Sequence, residues 1–212
     1  MKTVVFDLDG TLLDVREGFY WQFQELTRIF DGAPIAKEMI AASAHGTTEN
    51  IVRSLVRNTK VPFDDILRKH HAIRLESYDR YLRLYEGVDE LLPILKRMGV
   101  QVAALTSGNS ATITCLDRTG IRGHFDVVVT ADHIENPKPH PEGLYLIADK
   151  LGIEMEEIIV VGDTVVDILV GKNAGVYKTV GVSHGFGNVD ALIAAGADHI
   201  VHDVPSILDV IE

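Results

Sequence analysis

Two aspartates separated by one leucine close the first apolar run of this chain, Val4-Val5-Phe6-Asp7-Leu8-Asp9-Gly10-Thr11. A short β-branched and aromatic run broken by glycine predicts a buried strand that ends in a tight loop. Two carboxylates at one strand exit repel each other, so the pair demands a cation or a shared proton. A hard ion such as Mg²⁺, which prefers carboxylates, carbonyls and water, meets that demand. A carboxylate beside such an ion can also attack phosphorus. An ordinary acidic strand-to-loop exit is the alternative, and the octapeptide alone leaves both readings open.

From about residue 88 onward, short apolar runs alternate with helical patterns. Val100 to Leu105, Asp126 to Thr130, Ile158 to Gly162, Thr179 to Val182 and His199 to Val201 read as strands. Val88 to Met98, Ser110 to Thr119, Glu142 to Leu151, Asp167 to Ala174 and Val189 to Ala195 read as helices. This alternation predicts an α/β fold, a doubly wound parallel sheet with helices on both faces. Residues 15–83 break the rhythm with helical periodicity alone. Phe19, Phe23, Leu26 and Phe30 share one face there, and Ile51, Val52, Leu55 and Val56 another. Pro34 and Pro62 fit first-turn positions of two of these helices. The expected organisation is a Rossmann-like core of residues 1–14 and 84–212 with a four-helix cap inserted at 15–83.

Three further segments fall where such a sheet brings them to Asp7, because ligands of open α/β sheets bind beyond the carboxyl ends of the strands. The strand ending at Leu105 runs into Thr106-Ser107-Gly108-Asn109, which offers a hydroxyl and backbone N–H groups to a phosphate. An ordinary strand-to-helix cap is the competing reading. In Asn136-Pro137-Lys138-Pro139-His140-Pro141, three prolines stiffen the loop around one lysine, which can neutralise a carboxylate and a phosphoryl oxygen together. A proline-rich surface loop with an incidental lysine is its alternative. Ile158 to Gly162 delivers Asp163, with Asp167 four residues later in the first turn of a helix. Asp163 then completes a metal shell, and Asp167 holds Lys138 or a water just outside it. Favourable interaction with the helix dipole is the alternative account of Asp167.

In that order and at those strand ends, the motifs resemble the haloacid dehalogenase superfamily of phosphotransferases over nearly the whole chain. Asp7-Leu8-Asp9-Gly10-Thr11 is similar to the family's nucleophile loop, and Thr106, Lys138 and Gly162-Asp163…Asp167 to its other motifs. The insert resembles the helical cap shared by phosphoglycolate phosphatases and β-phosphoglucomutases. Gly181-Val182-Ser183-His184-Gly185-Phe186-Gly187 is similar to a loop of the former group. The resemblance implies Asp7 as nucleophile and Asp9 as general acid and base. It implies Mg²⁺ on an Asp7 oxygen, the Asp9 carbonyl and Asp163, with Thr106, Ser107, Gly108 and Lys138 around the phosphoryl group. The implied activity is a Mg²⁺-dependent phosphatase acting through an aspartyl-phosphate on phosphoglycolate or a sugar phosphate. Nucleotides and pyrophosphate also fit the core motifs. A sugar-phosphate mutase uses the same pair of aspartates, and a non-catalytic binding member is the alternative of another class.

Cap residues decide between water and a second hydroxyl as acceptor. The candidate stretch is Ser43 to Asn50, with His45 and Gly46 as leaving-group contacts or, alternatively, as a plain helix–helix turn.

Charge narrows the partners. Twenty basic residues against 31 acidic give a net charge of −11, which argues against nucleic acid or an anionic membrane surface. The insert carries +2 of this and the remainder −13. The single cysteine, Cys115, excludes an intrachain disulfide and suits a reducing compartment. No apolar run reaches membrane-spanning length. A cytoplasmic monomer or homodimer acting on a small phosphorylated metabolite is the expectation.

Overall fold

A computed structural model describes residues 2–43, 48–58 and 60–211. In chain order its elements are β1 (Thr3–Phe6), β2 (Leu13–Asp14), α1 (Arg16–Asp31), α2 (Lys37–Ser43), α3 (Thr48–Leu55), α4 (Phe63–Tyr81) and β3 (Arg83–Leu84). There follow α5 (Val88–Arg97), β4 (Gln101–Leu105), α6 (Ala111–Arg118), β5 (Val127–Val129), α7 (Glu142–Leu151) and β6 (Ile158–Gly162). The last are α8 (Val165–Ala174), β7 (Lys178–Val182), α9 (Val189–Ala194), β8 (His199–Val201) and α10 (Leu208–Ile211). The alternation expected after residue 88 is present, with most ends within one or two residues of the sequence reading.

Six strands form one sheet in the order β5-β4-β1-β6-β7-β8, with every neighbouring pair parallel. Its centre is β1, whose four residues are all buried. Val4, Val5 and Phe6 are apolar because helices cover both faces, and the buried Thr3 at the strand's start bonds the Gln101 side chain of β4. On one face Val5, Ala103, Leu105, Val129 and Val160 pack with Leu144 and Ile147 of α7 and Val170 of α8. Elsewhere α5 packs on β4, and α9 on β7 and β8. Strand order reverses at β1, which lies between β4 and β6. That reversal opens a crevice beyond the strands' carboxyl ends.

Two compact units divide the chain, residues 1–14 with 83–212 and residues 15–82. The second holds α1 to α4, whose shared core includes Phe23, Leu26, Ile40, Val52, Ile66 and Ile73. Where the chain leaves and re-enters the first unit, β2 and β3 pair antiparallel, Leu13 with Leu84 and Asp14 with Arg83. The sequence reading missed both strands, because two residues carry no period. It also placed Pro34 in a helix's first turn. Helix α2 starts later, at Lys37, and Pro34 lies in the preceding loop. Pro62 directly precedes α4. His45 and Gly46 lie outside the described residues.

His70 of α4 lies inside this second core, 4 % exposed, with its ring 4.9 Å from that of Phe23 and nearly parallel to it. Its Nε2 has no hydrogen-bond partner among the described residues. Burial pushes the imidazole down to about 4, with the nearby Arg74 and His71 acting in the same direction. In the unfolded chain the ring takes its proton near the ordinary pH of about 6.5. The folded chain therefore loses stability as pH falls from 6.5 to about 4, and His70 contributes no pH dependence above that window. His70→Leu should remove this term. Denaturant unfolding at pH 7.5 and 4.5 should show the variant gaining on the wild type by up to about 3 kcal/mol on acidification. Parallel pH profiles would contradict the assignment.

Candidate active site

A polar residue directly follows each of the three central strands: Asp7 after β1, Thr106 after β4 and Asp163 after β6. Register makes this convergence unavoidable, since Phe6 lies opposite Ala104 on one side and Val161 on the other. The Asp7 N–H extends the ladder by donating to the Val161 carbonyl at 2.8 Å. Asp7 is 9 % exposed, while Asp163 and Asp167 are buried outright.

Lys138 reaches this point from the proline-rich loop. Its Nζ donates to Asp7 Oδ1 at 2.6 Å, to Asp167 Oδ1 at 2.5 Å and to the Leu105 carbonyl at 3.2 Å. Asp167 is fixed in turn by the start of α8. There the Asp167 carboxylate accepts the Thr164 N–H at 2.9 Å while the Thr164 side chain accepts the Asp167 N–H, a capping box. The Thr164 hydroxyl also donates to Asp167 Oδ2 at 2.5 Å. Asp167 thus holds Lys138, one of the two roles expected of it. Asp163 accepts at both oxygens, from the Thr11 hydroxyl at 3.0 Å and from the Phe186 N–H at 2.7 Å. Gly10 is required for this approach. It sits at φ +93°, and a Cβ there would lie 2.4 Å from Asp163 Oδ2.

Carboxylate oxygens of Asp7, Asp163 and Asp167 all lie within 4.8 Å of one another. Burial raises Asp7 well above the ordinary carboxylate range; Lys138 opposes this, and Asp167 and Asp163 add to it. Burial also lifts Asp163 to about 6, reinforced by Asp167 and opposed by the Phe186 amide and the Thr11 hydroxyl. For Lys138 burial acts downward, but the charges of Asp167 and Asp7 outweigh it and raise the ammonium above its usual value.

With all three carboxylates ionised, one ammonium would leave two negative charges in a buried space, the imbalance that pushes Asp7 and Asp163 toward their protonated forms. A hard divalent cation fits that donor set in charge and in ligand type. Asp167 spends its oxygens on Lys138 and Thr164, so Asp7 and Asp163 are the carboxylates best placed to bind it. A carboxylate has about four lone-pair sites, so the bonds Asp163 already accepts leave it able to ligate. Asp9 is half-buried, and its side chain is not part of the three-carboxylate cluster.

Thr106 is 2 % exposed and Ser107 is exposed. Thr106 Oγ1 accepts the Gly108 N–H at 3.0 Å, so that amide is engaged within the turn and the hydroxyl proton is left to donate outward. Sequence reasoning did not single out Thr11, Thr164 or the Phe186 amide. The run Asp-Gly-Thr did put a hydroxyl beside the acidic pair, but its bond to Asp163 spans 152 positions and has no local signature.

Buried acidic groups and a lysine at the switch point of a parallel sheet define an enzyme site of the α/β class. Residues 4–182 match the model of the haloacid dehalogenase-like hydrolase family. Pyrophosphatase PpaX of Halalkalibacterium halodurans is 32 % identical over 213 residues, which is all of this chain and 97 % of that one. The protein of that name from Bacillus cereus is 35 % identical over 188 residues, 86 % of this chain and 83 % of its own. Among solved structures, a Haemophilus somnus protein assigned by prediction as a phosphoglycolate phosphatase superposes with a TM-score of 0.92 at 22 % identity, over 100 % and 98 % of the two chains. A candidate beta-phosphoglucomutase from Thermotoga maritima gives 0.85 at 26 % identity, over 99 % and 98 %. The match over residues 4–182 and the relatives at 30 % identity or more over most of the chain show that it belongs to the haloacid dehalogenase-like hydrolase family. Among the described residues, no helix is long and apolar enough to cross a membrane.

Removing the ammonium while keeping its bulk tests the electrostatic account. Lys138→Met should destabilise the metal-free chain by about 3–5 kcal/mol at pH 7.5. Asp7 and Asp163 have raised pKa values and take protons as the pH drops, so the deficit should shrink toward pH 5. Denaturant unfolding at both pH values measures it; an equal deficit at both would contradict the charge balance described.

Proposed function

We propose that this enzyme is a Mg²⁺-dependent phosphohydrolase that works through an aspartyl-phosphate on Asp7. The observation that carries the reading is the Lys138 ammonium bonded to Asp7 and Asp167 at the end of β1, beside a buried carboxylate cluster with a charge deficit. Asp7 attacks phosphorus in line, a bond forms from its carboxylate oxygen, and the bond from phosphorus to the leaving oxygen breaks. Asp9 gives its proton to that leaving oxygen. It then takes a proton from the water that attacks the acyl-phosphate, which releases phosphate and restores Asp7. Lys138 and the Thr106 hydroxyl gather the charge of the transferring oxygens, with Ser107 and Gly108 lining the same turn. The metal, held by Asp7, Asp163 and the Asp9 carbonyl, supplies charge neutralisation that lets an anion approach a carboxylate.

Small phosphorylated metabolites are the substrate class. Inorganic pyrophosphate heads the panel, because the relatives at 30–35 % identity over most of the chain carry the name pyrophosphatase. Phosphoglycolate and sugar phosphates come next, with His45 and Gly46 as the cap residues to vary. The Thermotoga likeness favours one other reading, transfer to a second sugar hydroxyl, and product analysis with a sugar phosphate separates it from hydrolysis.

Phosphate release across this panel, with Mg²⁺ and with chelator, is the test. Turnover should require Mg²⁺ and should fall at least 10³-fold in Asp7→Asn, an order-of-magnitude figure for loss of a covalent nucleophile. Asp9→Asn should slow turnover by about 10²–10⁴-fold as expected for lost acid–base catalysis. Substantial activity in purified Asp7→Asn would refute the nucleophile, and an unchanged rate in Asp9→Asn would remove its proton-transfer role.

A further inference from the structure

The carboxylate of Asp163 is held by a chain of contacts that begins well away from it. Thr11 donates its hydroxyl to Asp163 Oδ1 at 3.0 Å, and its own carbonyl lies 3.0 Å from His184 Nε2. A carbonyl only accepts, so His184 carries its proton on Nε2 and donates. The His184 ring lies against the Tyr85 ring, with centroids 4.2 Å apart. Tyr85 donates its hydroxyl to the His184 carbonyl at 3.3 Å and its N–H to the Leu12 carbonyl at 3.1 Å. Two residues beyond His184, the Phe186 N–H donates to the second Asp163 oxygen at 2.7 Å. Between them, Gly185 passes so close that a Cβ there would lie 2.2 Å from Asp163 Oδ2. Both oxygens of one carboxylate are therefore tied to segments that Tyr85 and His184 join.

We infer that Tyr85 and His184 are positioning residues: together they clamp the loop after β1 and the loop after β7 around Asp163 and set the orientation in which that carboxylate meets the metal. His184 acts through the Thr11 carbonyl and through its own backbone, which carries the Phe186 amide into place. Tyr85 acts by packing its ring against His184, tilted at 51°, and by bonding both segments at once. Partners of this kind orient metal-binding side chains, and their loss typically costs 10- to 100-fold in metal affinity. The inference rests on Asp163 being a metal ligand, as proposed above.

Calorimetric titration of the metal-free full chain with MgCl₂, without substrate, reads the effect directly. His184→Ala should weaken Mg²⁺ binding by about tenfold. His184→Gln keeps an N–H donor that reaches the Thr11 carbonyl and should recover most of that loss. Hydrogen exchange at the Phe186 amide gives a second, metal-independent readout, and it should speed up in His184→Ala. Should that variant fail to fold, Tyr85→Leu removes the ring packed on His184 and should shift both readouts in the same direction. Wild-type Mg²⁺ affinity together with unchanged Phe186 exchange in a folded variant would overturn the clamp. Asp163→Asn serves as the control. Undiminished Mg²⁺ binding there would overturn the metal-ligand reading itself, and Phe186 exchange alone would then decide whether the clamp stands.

Discussion

One ammonium group, Lys138 Nζ, sits between the carboxylates of Asp7 and Asp167, and the functional half of the structure is arranged around that contact. Without it, three carboxylates would share a site shielded from water, which costs several kcal/mol for each uncompensated charge. With it, the site is still short of positive charge. That shortfall makes the crevice selective for a divalent cation together with an anion that brings its own phosphoryl oxygens. The same imbalance explains why burial lifts Asp7 and Asp163 while Lys138 is driven upward.

The fold supplies the geometry at little local cost. A strand buried on both faces is apolar through its middle, so after Val4 in β1, Val102 in β4 and Ile158 in β6 the next polar side chain falls just past the strand's exit. Three adjacent parallel strands place three such ends side by side. Asp7, Thr106 and Asp163 converge because β1 pairs in register with β4 and β6, and not because they are near in sequence. Lys138 and Asp167 enter from the connections that follow. The second unit keeps a separate core, in which α1 and α4 close around Phe23 and the buried His70.

Much of this was legible in the residues. Ile158 to Gly162 and Val4-Val5-Phe6 read as buried strands because β-branched runs bounded by glycine have few other uses. Periodicity separated the helical insert from the alternating core. The segments at Asp7, Thr106, Lys138 and Asp163 are each ambiguous alone, and it is their order and shared place at strand exits or in a proline-stiffened loop that makes them readable together. What stayed hidden was non-local. The pairing of Leu13 with Leu84 leaves no period, and the bond from Thr11 to Asp163 gives no sign at either end. The packing of Tyr85 against His184 joins positions 99 apart, and nothing about either residue in sequence points to the other. Asp167 was ambiguous between dipole stabilisation and lysine binding until its distance to Nζ was known.

The central claim is that these buried aspartates leave a charge deficit that a divalent cation fills. Denaturant unfolding of the full chain over a range of MgCl₂ concentrations tests it most directly. Binding to the folded state alone should raise the unfolding free energy with the slope of one ion per chain, about 1.4 kcal/mol for each tenfold rise in free Mg²⁺ above its Kd. A wild-type midpoint that stays level from chelator to millimolar Mg²⁺ would contradict the account.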